Sequence, residues 1–115
     1  MFQKKQIGKI GEKIACYYLL KNNYIIIGKN VKISHKEIDI IAQKNKNLIF
    51  VEVKTTYNNN PKDYISNKKI RLIKQAIDYF CLILAKKQEN IRLDFIAIKL
   101  TNKKIANISH FKNII

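Results

Sequence analysis

Glu37, Asp39, Glu52 and Lys54 stand in and beside two Ile- and Val-rich runs, Ile38 to Ala42 and Leu48 to Val53, separated by the polar tetrad Lys44-Asn45-Lys46-Asn47. Neither run contains Pro or Gly, and β-branched segments around a short polar break predict a β-hairpin. A turn closed over Asn45-Lys46 sets Asp39 opposite Glu52 and Glu37 opposite Lys54. Because strand side chains alternate, all four then share one face. Ile38, Ile40, Ala42, Ile49, Val51 and Val53 line the other, and even the charged face carries Ile41, Leu48 and Phe50. Both faces are apolar enough to be covered, yet a carboxylate stripped of water is costly unless it is paired or holds a metal. Two opposed carboxylates also repel. A divalent cation between Asp39 and Glu52, with a lysine beside it, removes both problems and makes a Lewis-acid site. The alternative is structural: a Glu37–Lys54 cross-strand ion pair, with Asp39 and Glu52 at solvated strand ends.

The formal charge of +15 points to a polyanionic partner, because clustered Lys and Arg gain affinity for nucleic acid through counterion release. A/T-rich codon usage accounts for the same charge without a ligand: the chain holds 23 Ile, 21 Lys and 13 Asn but Arg only at Arg71 and Arg92. That bias sharpens the hairpin argument. Acids are scarce, eight in all, and three of them are Glu37, Asp39 and Glu52.

At 115 residues the chain is expected to form one domain over residues 1–115 with a single core and no need of metal or disulfide staples. Cys16 and Cys81 lie in separate apolar segments without CxxC or nearby His, which reads as buried reduced thiols in a reducing compartment. His35 and His110 are isolated and read as surface residues. No signal-peptide core precedes the first helix and Tyr79 to Ala85 is too short to span a bilayer, so the expectation is a cytoplasmic protein with no membrane partner.

Five further elements must position the hairpin. Ile7, Ile10, Ile14, Tyr17, Tyr18 and Leu20 recur at helical spacing from about Lys5 to Lys21. Gly8, Glu12, Ala15 and Leu19 share a face of that helix, so Glu12 either points inward or is a solvated first-turn acid. Gly8 and Gly11 each cost up to about 1 kcal/mol in a helix interior, which suggests a close approach there. Tyr24 to Ile33 reads as a strand with a bulge or bend at Gly28. After Lys54, TTYNNNPKDY reads as a connecting loop with some phosphate contact. Ser66 or Asn67 caps a second helix to about Lys86, with Ile70, Ile73, Ile77, Phe80 and Leu84 inward. Lys68, Arg71, Gln75 and Asp78 form another face, open to phosphates or simply solvated. Ile91 to Leu100 is a strand with Arg92 and Asp94 on one face, Asn102-Lys103 a turn, and Ile105 to Phe111 a last edge strand. No repeat, P-loop, zinc spacing or nucleophile motif occurs.

The order helix, three strands, helix, two strands, with an acid and then E-x-K on the third strand, resembles the PD-(D/E)XK nuclease core. More closely, the chain resembles the bacterial YraN family, itself similar to archaeal Holliday-junction resolvases. The matching residues are Gly8 to Glu12 with Ala15 and Leu19, Asn30, Glu37 to Ile41, Phe50 to Lys54, Lys68 with Arg71, and Arg92 to Phe95. The chain departs from that pattern where Lys36 replaces a usual Gly and Thr56 a usual Arg.

The resemblance implies a restriction-endonuclease-like α/β core, a mixed central sheet of about five strands with helices on its faces in the order αβββαββ. It also implies a Mg2+-dependent (or Mn2+-dependent) endonuclease acting on DNA, on branched or single-stranded forms, and a homodimer. Asp39 and Glu52 would hold the metal, helped by the Val53 carbonyl, Lys54 would orient or activate the attacking water and offset charge on the phosphorane, and Glu12, also in the catalytic set, would complete a second metal site or position water. Lys68 and Arg71 would contact nucleic acid. Two other readings stand beside it: a non-catalytic nucleic-acid-binding protein of nuclease fold, favoured by Thr56, and a basic surface for an acidic protein partner.

Overall fold

A computed structural model describes residues 3–59, 65–84, 90–102 and 104–115. Its elements run α1 (Lys4–Lys21), β1 (Ile25–Ile33), β2 (Lys36–Lys44), β3 (Asn47–Tyr57), α2 (Asn67–Leu84), β4 (Ile91–Leu100) and β5 (Ile105–Phe111). The five strands form one sheet in sequence order. Neighbours are antiparallel except β3 and β4, which run parallel and therefore need the α2 crossover between them. This is the expected mixed α/β architecture.

Short turns set the register. The β2–β3 hairpin closes with Lys44 opposite Asn47, so Ile40, Ile41 and Ala42 meet Val51, Phe50 and Ile49 as predicted. Asn45 takes a φ of 56°, a conformation Asn tolerates better than most residues. A second hairpin, not anticipated, joins β1 to β2 through Ser34-His35, with Ile33 opposite Lys36. The expected irregularity near Gly28 is present as a register shift between Ile26 and Gly28.

α1 covers one face of the sheet, where Ala15, Cys16 and Leu19 pack on Ile40, Ala42, Ile49, Val51, Ile96 and Ile98. α2 covers the other, where Ile73, Ala76, Ile77 and Cys81 meet Ile38, Ile41, Leu48, Phe50 and Leu93. Its start is capped by Ser66, whose Oγ accepts the Lys69 N–H at 3.1 Å. Gly11 lets α1 settle closely on β3: an added Cβ would lie 1.7 Å from Thr55 Oγ1. Gly8 has open space instead, so only one of the two helical glycines marks a close approach.

The loop expectation after Lys54 needs correction. Thr55, Thr56 and Tyr57 continue β3 because β4 continues beside them, as far as Tyr57 opposite Leu100. Tertiary pairing overrides the polar composition. Residues 60–64 of that stretch, the end of the second helix beyond Leu84, and Lys103 of the predicted turn lie outside the described residues.

Candidate metal centre

The hairpin that sets the register also ends it. Pairing between β2 and β3 stops at Ile40–Val51, one residue short of Asp39 and Glu52. Ile38 packs on the α2 side and Ile40 on the α1 side, so strict alternation breaks at Asp39. This corrects the prediction that Ile38 lines the same face as Ile40. Across β1, the residue between the pairs Lys29–Ile40 and Val31–Ile38 is Asn30, at a φ of 52°. Both strands are therefore irregular at the same level.

Where the strands part, side chains replace the ladder. The Val53 N–H donates to Asp39 Oδ2 at 2.8 Å, and the Asp39 N–H makes a long contact of 3.4 Å to Glu52 Oε1. Glu52 is 1% exposed. Its Oε2 lies 3.1 Å from Lys69 Nζ and 3.5 Å from Lys36 Nζ, yet neither ammonium is directed for a hydrogen bond, and Oε2 is buried without a hydrogen-bond partner. An acceptor left that way is costly in a fold.

Burial, and then the adjacent Glu52 charge, push the Asp39 carboxyl up to about 6 against the lowering effect of the Val53 N–H. Glu12 is half-buried on α1, beside Asn30 of β1. Its side chain bonds Asn30, and its pKa is raised by burial and by the charges of Glu37 and Glu52, with the Asn30 bond and Lys29 opposing. The acids predicted from α1, β2 and β3 are thus within electrostatic reach of one another.

These donors suit a hard divalent cation. Both are carboxylates, and a buried Oε2 lacks a hydrogen bond, while the repulsion that raises Asp39 is what a cation relieves. Among the described residues, no group of three or more His, Cys, Asp or Glu side chains gathers around a common point for a metal. The protein's share would be the two carboxylates of Asp39 and Glu52, a small set of hard oxygen donors.

Lys54 is exposed at the next position beyond Glu52 on the same strand side. Lys68 and Arg71 are exposed on α2. Glu37 is matched with Lys32 of β1, so the Glu37–Lys54 cross-strand pairing considered from sequence does not form as a strand pair. Lys36 and Lys69 were not singled out as site residues. Lys36 stands out in the sequence only as a departure from a family pattern, whereas Lys69 is in helical register with the buried Ile73 and Ile77 and off the face that carries Lys68 and Arg71.

A second polar cluster lies on the α1 side. Asp94, fully buried, receives Arg92 Nε and Nη2 at 2.8 and 2.9 Å, His110 Nε2 at 2.7 Å and the Asn113 N–H at 2.9 Å. Because an ionised carboxylate only accepts, Nε2 carries a proton in this contact, and Nδ1 is hydrogen-bonded to Tyr18 Oη, 2.9 Å away. Arg92 also donates to Tyr24 Oη at 3.0 Å. Burial alone would raise Asp94, but the hydrogen bonds of His110, Arg92 and Asn113 prevail and hold it below its ordinary value. His110 is thus no surface residue: its side chain is 5% exposed and ties α1 to β4 and β5. Cys16 and Cys81 are both buried, as predicted.

Fold and site together define an α/β protein with a mixed five-stranded sheet and a carboxylate pair where its second and third strands separate. The chain belongs to the uncharacterised protein family UPF0102, whose family model matches residues 11–98, a span holding Glu12, Asp39, Glu52 and Lys54. It is 35% identical over 112 residues to a UPF0102 protein of Flavobacterium johnsoniae, covering 92% of this chain and 91% of that one. A UPF0102 protein of Clostridium beijerinckii is 40% identical over 111 residues, covering 90% of each. Among solved structures, that of Pyrococcus furiosus SfsA in complex with Ca2+ is similar at a TM-score of 0.43 and 16% identity, spanning 97% of this chain and 64% of that chain. Among the described residues, no helix is long and apolar enough to cross a membrane.

Proposed function

We propose that this chain is a magnesium- or manganese-dependent endonuclease that hydrolyses phosphodiester bonds in DNA of branched or single-stranded form. The observation that carries this reading is the buried Asp39–Glu52 pair, with a Glu52 oxygen that no hydrogen bond satisfies.

Asp39 and Glu52, with the Val53 carbonyl, would hold the ion, which when bound would polarise the phosphoryl oxygens and lower the pKa of a bound water. Asp39 is held in place by the Val53 N–H, so its orientation does not depend on the ion. Lys54, one strand position beyond, would orient the attacking water and offset charge growing on the phosphorus. Glu12, with its raised pKa, would accept or return a proton from α1. Lys68 and Arg71 present exposed cations for flanking phosphates. No covalent nucleophile is required.

A second reading, nucleic-acid binding without catalysis, is favoured by Thr56, which stands where the resemblance calls for an arginine phosphate clamp. Calorimetric titration of Mg2+ or Mn2+ into the native chain and the Asp39→Asn/Glu52→Gln variant tests the first. Binding by the native chain alone, followed by cleavage of branched, single-stranded or duplex DNA, is the expected outcome. If neither protein takes up metal even with DNA present, the catalytic reading fails and the binding one replaces it.

A further inference from the structure

We infer that Lys36 and Lys69 are exchangeable counterions of Glu52, holding its carboxylate in the metal-free protein and yielding it to a divalent cation. The inference rests on the metal-site reading above and concerns what that site does when empty of metal.

Glu52 is 1% exposed and stands beside a second carboxylate, so burial without compensation would be severely unfavourable. Compensation comes from two elements that meet only in the folded chain. Lys36 opens β2, and Lys69 lies in the first turn of α2. Their ammonium groups converge on one oxygen, Oε2, at 3.5 and 3.1 Å. Oε1 faces the Asp39 N–H instead.

Three features make this pairing exchangeable. Neither lysine completes a hydrogen bond to Oε2, so the hold is by charge and not by geometry. Both side chains keep contact with water, 21% exposed at Lys36 and 43% at Lys69, so each can swing outward without unfolding its element. An ammonium is also a compact charge on a flexible stem. A divalent ion at Asp39 and Glu52 would sit against two positive charges, and its binding therefore includes the work of displacing them. Once displaced, the two ammonium groups remain at the rim, where a phosphate would find them.

The test is Mn2+ calorimetry, without nucleic acid, on the native chain, the Lys36→Met and Lys69→Met single variants, their double variant, and a Lys36→Arg/Lys69→Arg control. Met keeps an unbranched stem and removes the charge. Mn2+ affinity is expected to rise about tenfold in the double Met variant, with part of the rise in each single variant and the Arg control close to native. Thermal unfolding supplies the independent readout: the Met variants should melt lower than the native chain without metal and gain more from added Mn2+. If the double variant does not fold, the single variants decide. Met variants that fold and bind Mn2+ no more tightly than the native chain overturn the inference while leaving the metal reading intact. Absence of Mn2+ binding in every protein overturns both.

Discussion

Gly8 and Gly11 lie one turn apart on α1, and the same substitution at the two should change stability in opposite directions. Alanine in a helix interior is better than glycine by about 1 kcal/mol. At Gly8 nothing lies within 4 Å of the added Cβ, so Gly8→Ala should realise most of that gain. At Gly11 the added Cβ would lie 1.7 Å from Thr55 Oγ1, 2.7 Å from Thr55 Cβ and 2.9 Å from Thr55 Cγ2. Carbon contacts settle at roughly 3.5–4 Å, so α1 must retreat or β3 must bend. Overpacking of this kind costs about 1–3 kcal/mol. After the helix gain is subtracted, Gly11→Ala should be destabilising by up to about 2 kcal/mol, a fall of roughly 8 °C in Tm against a rise of roughly 4 °C for Gly8→Ala. Thermal and urea unfolding of the metal-free protein read both. Thr55→Ala in the Gly11→Ala background should recover part of the loss, since it removes the two nearest side-chain tips and Thr55 Oγ1 has no hydrogen bond to lose. Gly11→Ala at least as stable as Gly8→Ala would refute the reasoning, because α1 would then not be seated by that glycine. The consequence reaches the site: Glu12 follows Gly11, so lifting the helix carries its carboxyl away from Asp39.

Other expectations concern pH and charge. Asp39 is raised above its unfolded value of 3.8, so the stability linked to its protonated form is full below about pH 4 and is lost as pH rises through about 6. Metal-free Asp39→Asn should therefore be more stable than the native chain at pH 7.5, by up to about 3 kcal/mol, with the difference vanishing near pH 4; equal urea midpoints at pH 7.5 would contradict this. Asp94 is held low, so its contribution is present above its unfolded value and is lost as pH falls through the lower folded one. Asp94→Ala should cost about 3–5 kcal/mol at neutral pH and flatten the acid limb of the stability curve below about pH 4, measured by chemical unfolding across pH. His110→Phe keeps the ring but strands Tyr18 O–H and one Asp94 lone pair, and should cost about 1–3 kcal/mol, with near-native unfolding counting against the network.

The sequence carried the hairpin because its evidence is local: a two-residue turn and a period of two fix which residues meet. It carried the neighbourhood of Asp39 and Glu52 for the same reason, although the strand pairing ends one residue before them. What it could not carry was the break at Asp39, which sends Ile38 to the opposite face. That break belongs jointly to β1 and β2, at Asn30 and Asp39, and no pattern within either strand announces it. Lys36 and Lys69 are two among 21 lysines, and that both reach Glu52 follows only from the folded arrangement. His110 was misread because its partners, Tyr18 and Asp94, lie 92 and 16 residues away in sequence. Thr55 to Tyr57 were misread because a strand's length is set by its neighbour as much as by its own residues.

The parallel union of β3 and β4 has a consequence for how the molecule assembles itself. Hairpins closed by two residues form on the order of microseconds, whereas a parallel pair waits for its crossover. The two carboxylates of the site thus come within range of each other on a local hairpin still bathed in solvent, where their repulsion is weak. They lose that solvent when α2 folds across the sheet to let β4 dock, and α2 is the element that brings Lys69. Desolvation and neutralisation arrive in one event, so no stage of folding has to enclose a bare pair of negative charges.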